Sequence, residues 1–577
     1  MSISENELEA LDILKNQIGE SILEISKIER YSLGYYAENG HITSLSLYSC
    51  GLSEIPKEIG SFSSLKELYF RGNNLSSVAE ELFSLLQLEI LDLSENYLIE
   101  LPDSISLLSS LKELHLETNQ LAFLPETIGS LTSLEILDLS ENKLKNIPNS
   151  IGQMQKLKTL DLSRNKIEEL PTTIGMMNSL EILFLGNNKL IKLPDSITQL
   201  TSLKRLNLRN NNITNLPEAI GNLLSLTSLF LKGNNLTKLP KSIGELKNLI
   251  YLGLTSNHLT HIPESIGSLF SLENLSVSSN KLVKLPDSIG SLKSLLRLEI
   301  SDNNLYMLPD SIGELSSLKI LRCERNNLKN IPDSIGNLST LEILTLNINK
   351  LTELPNSIGN LKSLKELNLY DNQLENLPES IGSLSTLEIL DLSKNQLELL
   401  PESIGSLKSL LELDLSTNKL ETVPQTIGSL PILKTLILGF NKLKEIPKSF
   451  GFLTTLEVLD LGKNILISIP ETIGSLTSLK HLYLYYNELK MIPDSVGSLK
   501  SLKYLYLGNN RLSSLPESLG RLKKLKYLFL RSNYLTELPE TLESLPFLQY
   551  LNIEKNNLKG YLDFLHKLEL RGIKILK

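Results

Sequence analysis

The residues of this chain best suited to covalent, general-base or metal chemistry are its six histidines and two cysteines, and their spacing brings none of them together. No Cys-His or Ser-His-Asp grouping recurs at matching positions, and no metal-ligand spacing appears. His481 beside Tyr483 is the one pairing with acid-base potential. A lone histidine on an exposed strand face is more often a contact residue than a general base, so the expectation is no enzyme, no catalytic residue, no metal site and no cofactor.

Recognition chemistry is better represented. Aromatic residues gather near the carboxyl end as His481, Tyr483, Tyr485 and Tyr486, then Tyr504 and Tyr506, then Tyr527 and Phe529, then Tyr550. Tyrosine offers large contact area at low entropy cost and is enriched where proteins bind one another. The competing account is that these rings stack on one another to shield the sheet. A second cluster, Arg297, Glu299, Arg322, Glu324 and Arg325, reads either as a charged docking site or as salt bridges across strands. Arg205 with Arg209 forms a smaller group, while Glu67, Tyr69, Arg71, Glu113, His115 and Glu117 are too dispersed to assign.

What must position these side chains is a repeat. From Asn73 to Asn556 the sequence keeps phase through 21 periods of 23 residues, nearly every one reading L-x-x-L-x-L-x-x-N-x-L, as in Leu134, Leu137, Leu139, Asn142 and Leu144. An earlier repeat, Ile42 to Leu52, carries Cys50 at the Asn position, giving 23 repeats in all. Such self-similarity marks a solenoid, in which one repeat buries its apolar side only when a neighbour stacks on it. Alternating leucines predict one short strand per repeat, parallel and in register with the next. The Asn amide, turned inward, would satisfy backbone groups of adjacent coils.

Of the 23 prolines, 21 stand six residues after the Asn position. Fixed φ and a missing N-H suit the first position of a helical turn, and acidic residues that follow, such as Asp103, Glu126, Asp195 and Glu218, suit its positive end. Just before the strand, Lys66, Glu89, Lys112, Glu135, Lys158, Glu181 and Lys204 alternate in sign, as do Lys319, Glu342, Lys365 and Glu388, which predicts a ladder along one rim.

The ends depart from the repeat. Ser4-Glu5-Asn6-Glu7 reads as a capping box before an amphipathic stretch with Leu8, Leu11 and Leu14, and Glu38-Asn39-Gly40 as a hairpin turn between Ser32–Ala37 and His41–Leu47. Tyr561 to Leu570 looks helical, before a last strand at Ile573 to Leu576. The expected organisation is a cap over 1–41, an array over 42–560 and a second cap over 561–577.

A formal charge of -9 with scattered Lys and Arg leaves no footprint for nucleic acid. No apolar h-region opens the chain and no run of about 18 apolar residues follows, so export and membrane insertion lack a signal. Cys50 and Cys323 lie twelve repeats apart, beyond disulfide reach, and the expected compartment is the reducing cytoplasm.

The string Leu-x-x-Leu-x-Leu-x-x-Asn-x-Leu-x-x-Leu-Pro-x-Ser-Ile-Gly-x-Leu, clear from Leu272 through Asn280 and Leu285-Pro286-Asp287-Ser288-Ile289-Gly290 to Leu292, resembles that of leucine-rich repeat proteins, specifically the intracellular Ras-group variety. The resemblance implies an α/β leucine-rich repeat solenoid, with a continuous parallel sheet on the concave face and short helical turns on the convex face. It also implies a non-enzymatic scaffold that holds a protein partner on the concave sheet. The alternatives are a regulator or sensor with a small GTPase or its regulator as partner, and a structural or surface-adhesive array. No phosphate loop or kinase signature set accompanies the repeats.

Overall fold

The computed structural model describes residues 3–577; Met1 and Ser2, which open the expected amino-terminal cap, lie outside the described residues. The chain forms two compact bodies, Met1–Leu282 and Val283–Lys577.

The amino-terminal body begins with helix α1 (Glu5–Ile18), whose buried stripe is Glu7, Ala10, Leu11 and Leu14. Leu8 lies a residue off that stripe and is 42% exposed, so the Leu8-Leu11-Leu14 face is corrected to Ala10-Leu11-Leu14. The capping box also takes a different form. Ser4 Oγ donates to the Glu7 carboxylate at 2.9 Å and not to a backbone N-H, because Glu7 sits in the buried stripe and needs a donor there. Strands β1 (Leu33–Glu38) and β2 (His41–Leu47) then pair antiparallel around Asn39 and Gly40, whose φ values of 53° and 82° are those of a tight hairpin turn.

Every later repeat of this body contributes one three-residue strand, paired parallel with its neighbours within the body: Ile136, Leu137 and Asp138 lie opposite Thr159, Leu160 and Asp161. The residue before the recurring Asn adopts a left-handed conformation, such as Glu141 at φ 54°, and this swings the amide inward. Asn142 Nδ2 donates to the carbonyls of Leu139 at 3.2 Å and of Leu116, in the preceding repeat, at 2.9 Å, while its Oδ1 accepts the Leu121 N-H at 2.9 Å. Each Asn thus closes its own turn and fastens the repeat before it.

The opposite face carries short 3-10 turns. Proline is not the first residue of the turn but its cap: Pro148 is extended, at φ -65° and ψ 151°, and its carbonyl accepts the Ile151 N-H. A 3-10 turn spends its first bond three residues back, so the fixed φ of proline serves best one place earlier than an α-helical reading assigns it. Several of the acidic residues that follow reach the next turn, as where Glu126 Oε2 accepts the Ser150 N-H at 3.2 Å. The glycine of Ser-Ile-Gly is set by close approach: a Cβ on Gly152 would fall 2.5 Å from the Thr173 carbonyl oxygen. Where Thr198 replaces that glycine, the next turn is shortened to Ile220–Asn222.

The carboxyl-terminal body repeats this plan from the Arg297–Glu299 strand to Tyr550–Asn552. Helix α2 (Leu562–Leu570) buries Leu565 and Leu568, and a last strand, Lys574–Leu576, pairs parallel with Tyr550–Asn552. Arg571 ties the end of α2 to the Glu543 and Leu545 carbonyls. On the rim the alternating charges form pairs more than an unbroken ladder: Lys112 takes Glu89, Lys158 takes Glu135 and Lys365 takes Glu342, each at 2.7 Å. No helix among the described residues is long and apolar enough to cross a membrane.

Candidate functional site

Strand alternation sends every second side chain of the carboxyl-terminal body away from its leucine core, and parallel register sets equivalent residues side by side. Two aromatic columns result. In one, His481, Tyr504, Tyr527 and Tyr550 are cross-strand partners, with ring centroids separated by 4.5, 4.8 and 6.3 Å in turn. In the other, Tyr483, Tyr506 and Phe529 are partners, 4.7 and 4.3 Å apart. Tyr504 and Tyr527 lie within 2° of parallel and Tyr506 and Phe529 within 5°. All seven rings are half-buried by one another and none enters the leucine core.

Two more rings extend the face. Tyr485 meets Tyr483 edge-on at 6.4 Å, and Tyr486, 52% exposed, meets Tyr485 edge-on at 6.1 Å. The ammonium of Lys463 lies 4.2 Å from the Phe440 ring and 5.4 Å from that of Tyr486. Burial raises the phenol pKa of Tyr483, Tyr485 and Tyr506, so these hydroxyls stay protonated and able to donate. Burial, then Lys503 and Lys480, holds the His481 imidazole below its ordinary range. Lys480 pairs with Glu457 at 2.5 Å, whereas among the described residues neither Lys503 nor Lys526, the next two residues on that rim, forms an ion pair.

The Arg297 cluster is only partly brought together. Arg297 Nη1 pairs with Glu299 Oε1 at 3.0 Å along one strand, and Arg322 lies opposite Glu299 in register. Glu324 instead accepts the Thr345 hydroxyl at 2.6 Å, and Arg325 is exposed at a left-handed position. Arg322 Nε is buried without a hydrogen-bond partner.

In the amino-terminal body, residues that look dispersed in sequence form a compact ion network. Arg30, from the turn before β1, reaches Asp92 at 2.8 Å and Glu117 at 2.6 Å, and Arg71 joins Glu117 to Glu95. The Asp92 side chain is fully buried. Burial opposes charge on Arg30, yet Asp92 and Glu117 hold its pKa above the ordinary value. His115 Nε2 lies 3.2 Å from Glu113, and His115, Glu117 and Asp138 bring ligand-type atoms within 4.8 Å of one another. His115 and Asp138 are one period apart and opposite each other in register, so the repeat itself brings this trio together. Glu117 is already engaged by both arginines, which accounts for the group as an ion network. Nearby, Arg205 lies 5.7 Å from the Phe184 ring and Arg209 4.4 Å from Phe230, which packs 4.7 Å from Tyr251. Those three aromatics carry no sequence signal beyond their outward strand positions.

The repeat now has counterparts. A family model described as leucine-rich repeat region matches overlapping segments that together span residues 126–438, and a second, leucine rich repeat, matches 63–121 and segments between 431 and 558. The chain belongs to the leucine-rich repeat family. The plant peptide hormone receptor RGFR1, solved in complex with RGF2, is 32% identical over 96% of this chain and 92% of that one, with a TM-score of 0.74. The Arabidopsis receptor kinase HAESA, in complex with the peptide hormone IDA and the co-receptor SERK1, is 28% identical over 99% of this chain and 95% of that one, at a TM-score of 0.63. YopM from Yersinia enterocolitica is 26% identical over 82% of this chain and 88% of that one, at 0.58. A comparison with curated proteins finds no match.

Proposed function

We propose that this protein is a non-enzymatic repeat scaffold that binds a protein or peptide partner on its strand face, chiefly through the aromatic columns. The observation that carries the reading is that three consecutive strands present two rings each and a fourth presents one, all at the surface and half-buried by one another. A shield for the sheet edge would need rings on the last strand; these begin at His481, three strands before Tyr550. The plant receptors it resembles are solved with peptide ligands, which supports a peptide-sized or larger partner. A small GTPase as that partner rests on the Leu-Pro-x-Ser-Ile-Gly resemblance alone.

The test is affinity capture from the native cell with wild type and a Tyr483→Ala, Tyr506→Ala, Tyr527→Ala variant. Partners lost with the rings support the reading, and undiminished capture of every partner removes it. Dependence of a captured GTPase on its nucleotide would establish the narrower role.

A further inference from the structure

The stacking that forms the two columns also decides what they can recognise. Tyr504 has His481 on one face and Tyr527 on the other, and Tyr506 has Tyr483 and Phe529. Their π faces, the electron-rich surfaces that attract cations or sugar C-H groups, are covered by other rings. What remains for a partner is the ring edge, which carries positive partial charge, and the phenol hydroxyl, which burial keeps protonated in Tyr483 and Tyr506. Both favour hydrogen-bond acceptors and anions.

The rim beside the columns has the same preference. At the position just before each strand, Glu and Lys alternate from Lys66 to Lys204 and from Lys319 to Glu388, and Glu457 and Lys480 still pair. The alternation then fails, with Lys503 and Lys526 following Lys480 in neighbouring strands, bonded backbone to backbone. Like charges side by side cost stability unless a counter-charge arrives. The carboxylates close by are already engaged: Asp460 accepts the Gly462 N-H at 2.8 Å, Glu457 holds Lys480, and Glu554 lies 3.7 Å from Arg531 and accepts from Asn552. On the far side of the columns Lys574 lies over the Tyr550 ring at 6.0 Å. On the rim beside Tyr504 and Tyr527 the unpaired charge is therefore positive, while Asp460, opposite Tyr483 in register, keeps a carboxylate that a backbone N-H and, among the described residues, no cation engages.

We infer that the aromatic face takes an acidic, extended segment of a polypeptide, its carboxylates on Lys503 and Lys526 and its backbone carbonyls along the ring edges. This rests on the proposed binding role and narrows it to one partner chemistry.

Selection from a random peptide display library against the full-length chain tests it. The expected result is enrichment of Asp and Glu in the selected peptides, weaker binding as salt rises, and a loss of about tenfold in affinity in the Lys503→Glu, Lys526→Glu variant. A Lys503→Gln, Lys526→Gln variant should show an intermediate loss, and an unchanged far-UV spectrum separates lost charge from lost fold. Peptides that need the tyrosines but show no acidic excess would overturn the inference and leave the binding role standing. Acidic peptides that survive loss of Tyr483, Tyr506 and Tyr527 would overturn both. A selection that returns no peptides, or heparin binding more tightly than any selected peptide, would also overturn the acidic-segment inference.

Discussion

The ring of Tyr485 lies across Gly462 in the preceding repeat, so close that a Cβ on the glycine would fall 2.5 Å from the ring's Cε1 and Cζ. A residue without a side chain in one repeat therefore seats an aromatic ring of the next. Gly462→Ala should lift the ring and weaken partner capture by about 1 kcal/mol, roughly fivefold, with little change in melting temperature. Titration of a captured partner against both forms checks this, and equal affinities would mean the ring makes no contact.

Asn418 donates to the carbonyls of Leu392 and Leu415, each at 3.0 Å, and accepts the Leu397 N-H at the same distance. Asn418→Ala leaves the Leu397 N-H buried without a partner, while the Leu392 and Leu415 carbonyls keep the amides of Asn395 and Asn441, at a cost of about 1–3 kcal/mol. Since a repeat array need not unfold in one step, the clearest readout is local. Exchange of the Leu397 amide should quicken sharply, while the exposed control Asn330→Ala leaves it unchanged.

A Cβ on Gly336 would sit 2.4 Å from the Ser357 carbonyl oxygen. Gly336→Ala should force two turns apart and cost about 1–3 kcal/mol by urea unfolding. The chain itself places Phe83, Ser106 and Thr198 at the equivalent position, and the turn that follows is shortened only after Thr198.

Burial holds the carboxyls of Asp138 and Asp161 above the ordinary aspartate range, against hydrogen bonds from Ser140 and Ser163. The folded chain keeps these protons to higher pH than the unfolded chain, so their contribution to stability is lost as pH rises through the raised values. Asn368 fills the equivalent place by accepting the Tyr370 N-H at 3.0 Å, without a charge to desolvate. Asp138→Asn with Asp161→Asn should therefore melt above wild type at neutral pH, by less than about 1 kcal/mol, and lose that advantage below about pH 4. Melting curves across pH decide it.

His481 is held below the ordinary imidazole range by burial, then by Lys503 and Lys480, with Glu457 opposing. The fold favours the neutral ring, so this contribution to stability is present above the usual histidine range and lost as pH falls through it. In an NMR titration Lys503→Gln should move the His481 midpoint upward. A midpoint that stays put would mean the lysine does not face the columns.

Residues that recur at one phase were legible before any coordinates, because stacking multiplies a local rule. The Asn amides, the Glu38-Asn39-Gly40 turn and the closing helix near Tyr561–Leu570 all follow from spacing. So does the adjacency of Tyr504 and Tyr527, which are one period apart. Contacts between unlike phases were not legible. Arg30 meets Asp92 and Glu117 from outside the repeat. Nor does spacing reveal which partner an ionic group takes. Glu324 chose Thr345 over the arginines beside it, and Ser4 chose the Glu7 carboxylate over a backbone N-H.

Each Asn amide reaches back across the same interval to bonds of the same kind. Excising or duplicating one whole period, for instance between Asn395 and Asn418, would rejoin identical chemistry on both sides of the splice. Such a chain can lengthen or shorten by whole steps through evolution without negotiating a new junction. The ring columns have no such freedom, for each ring is matched to its immediate neighbours, and an insertion inside them would split the face in two.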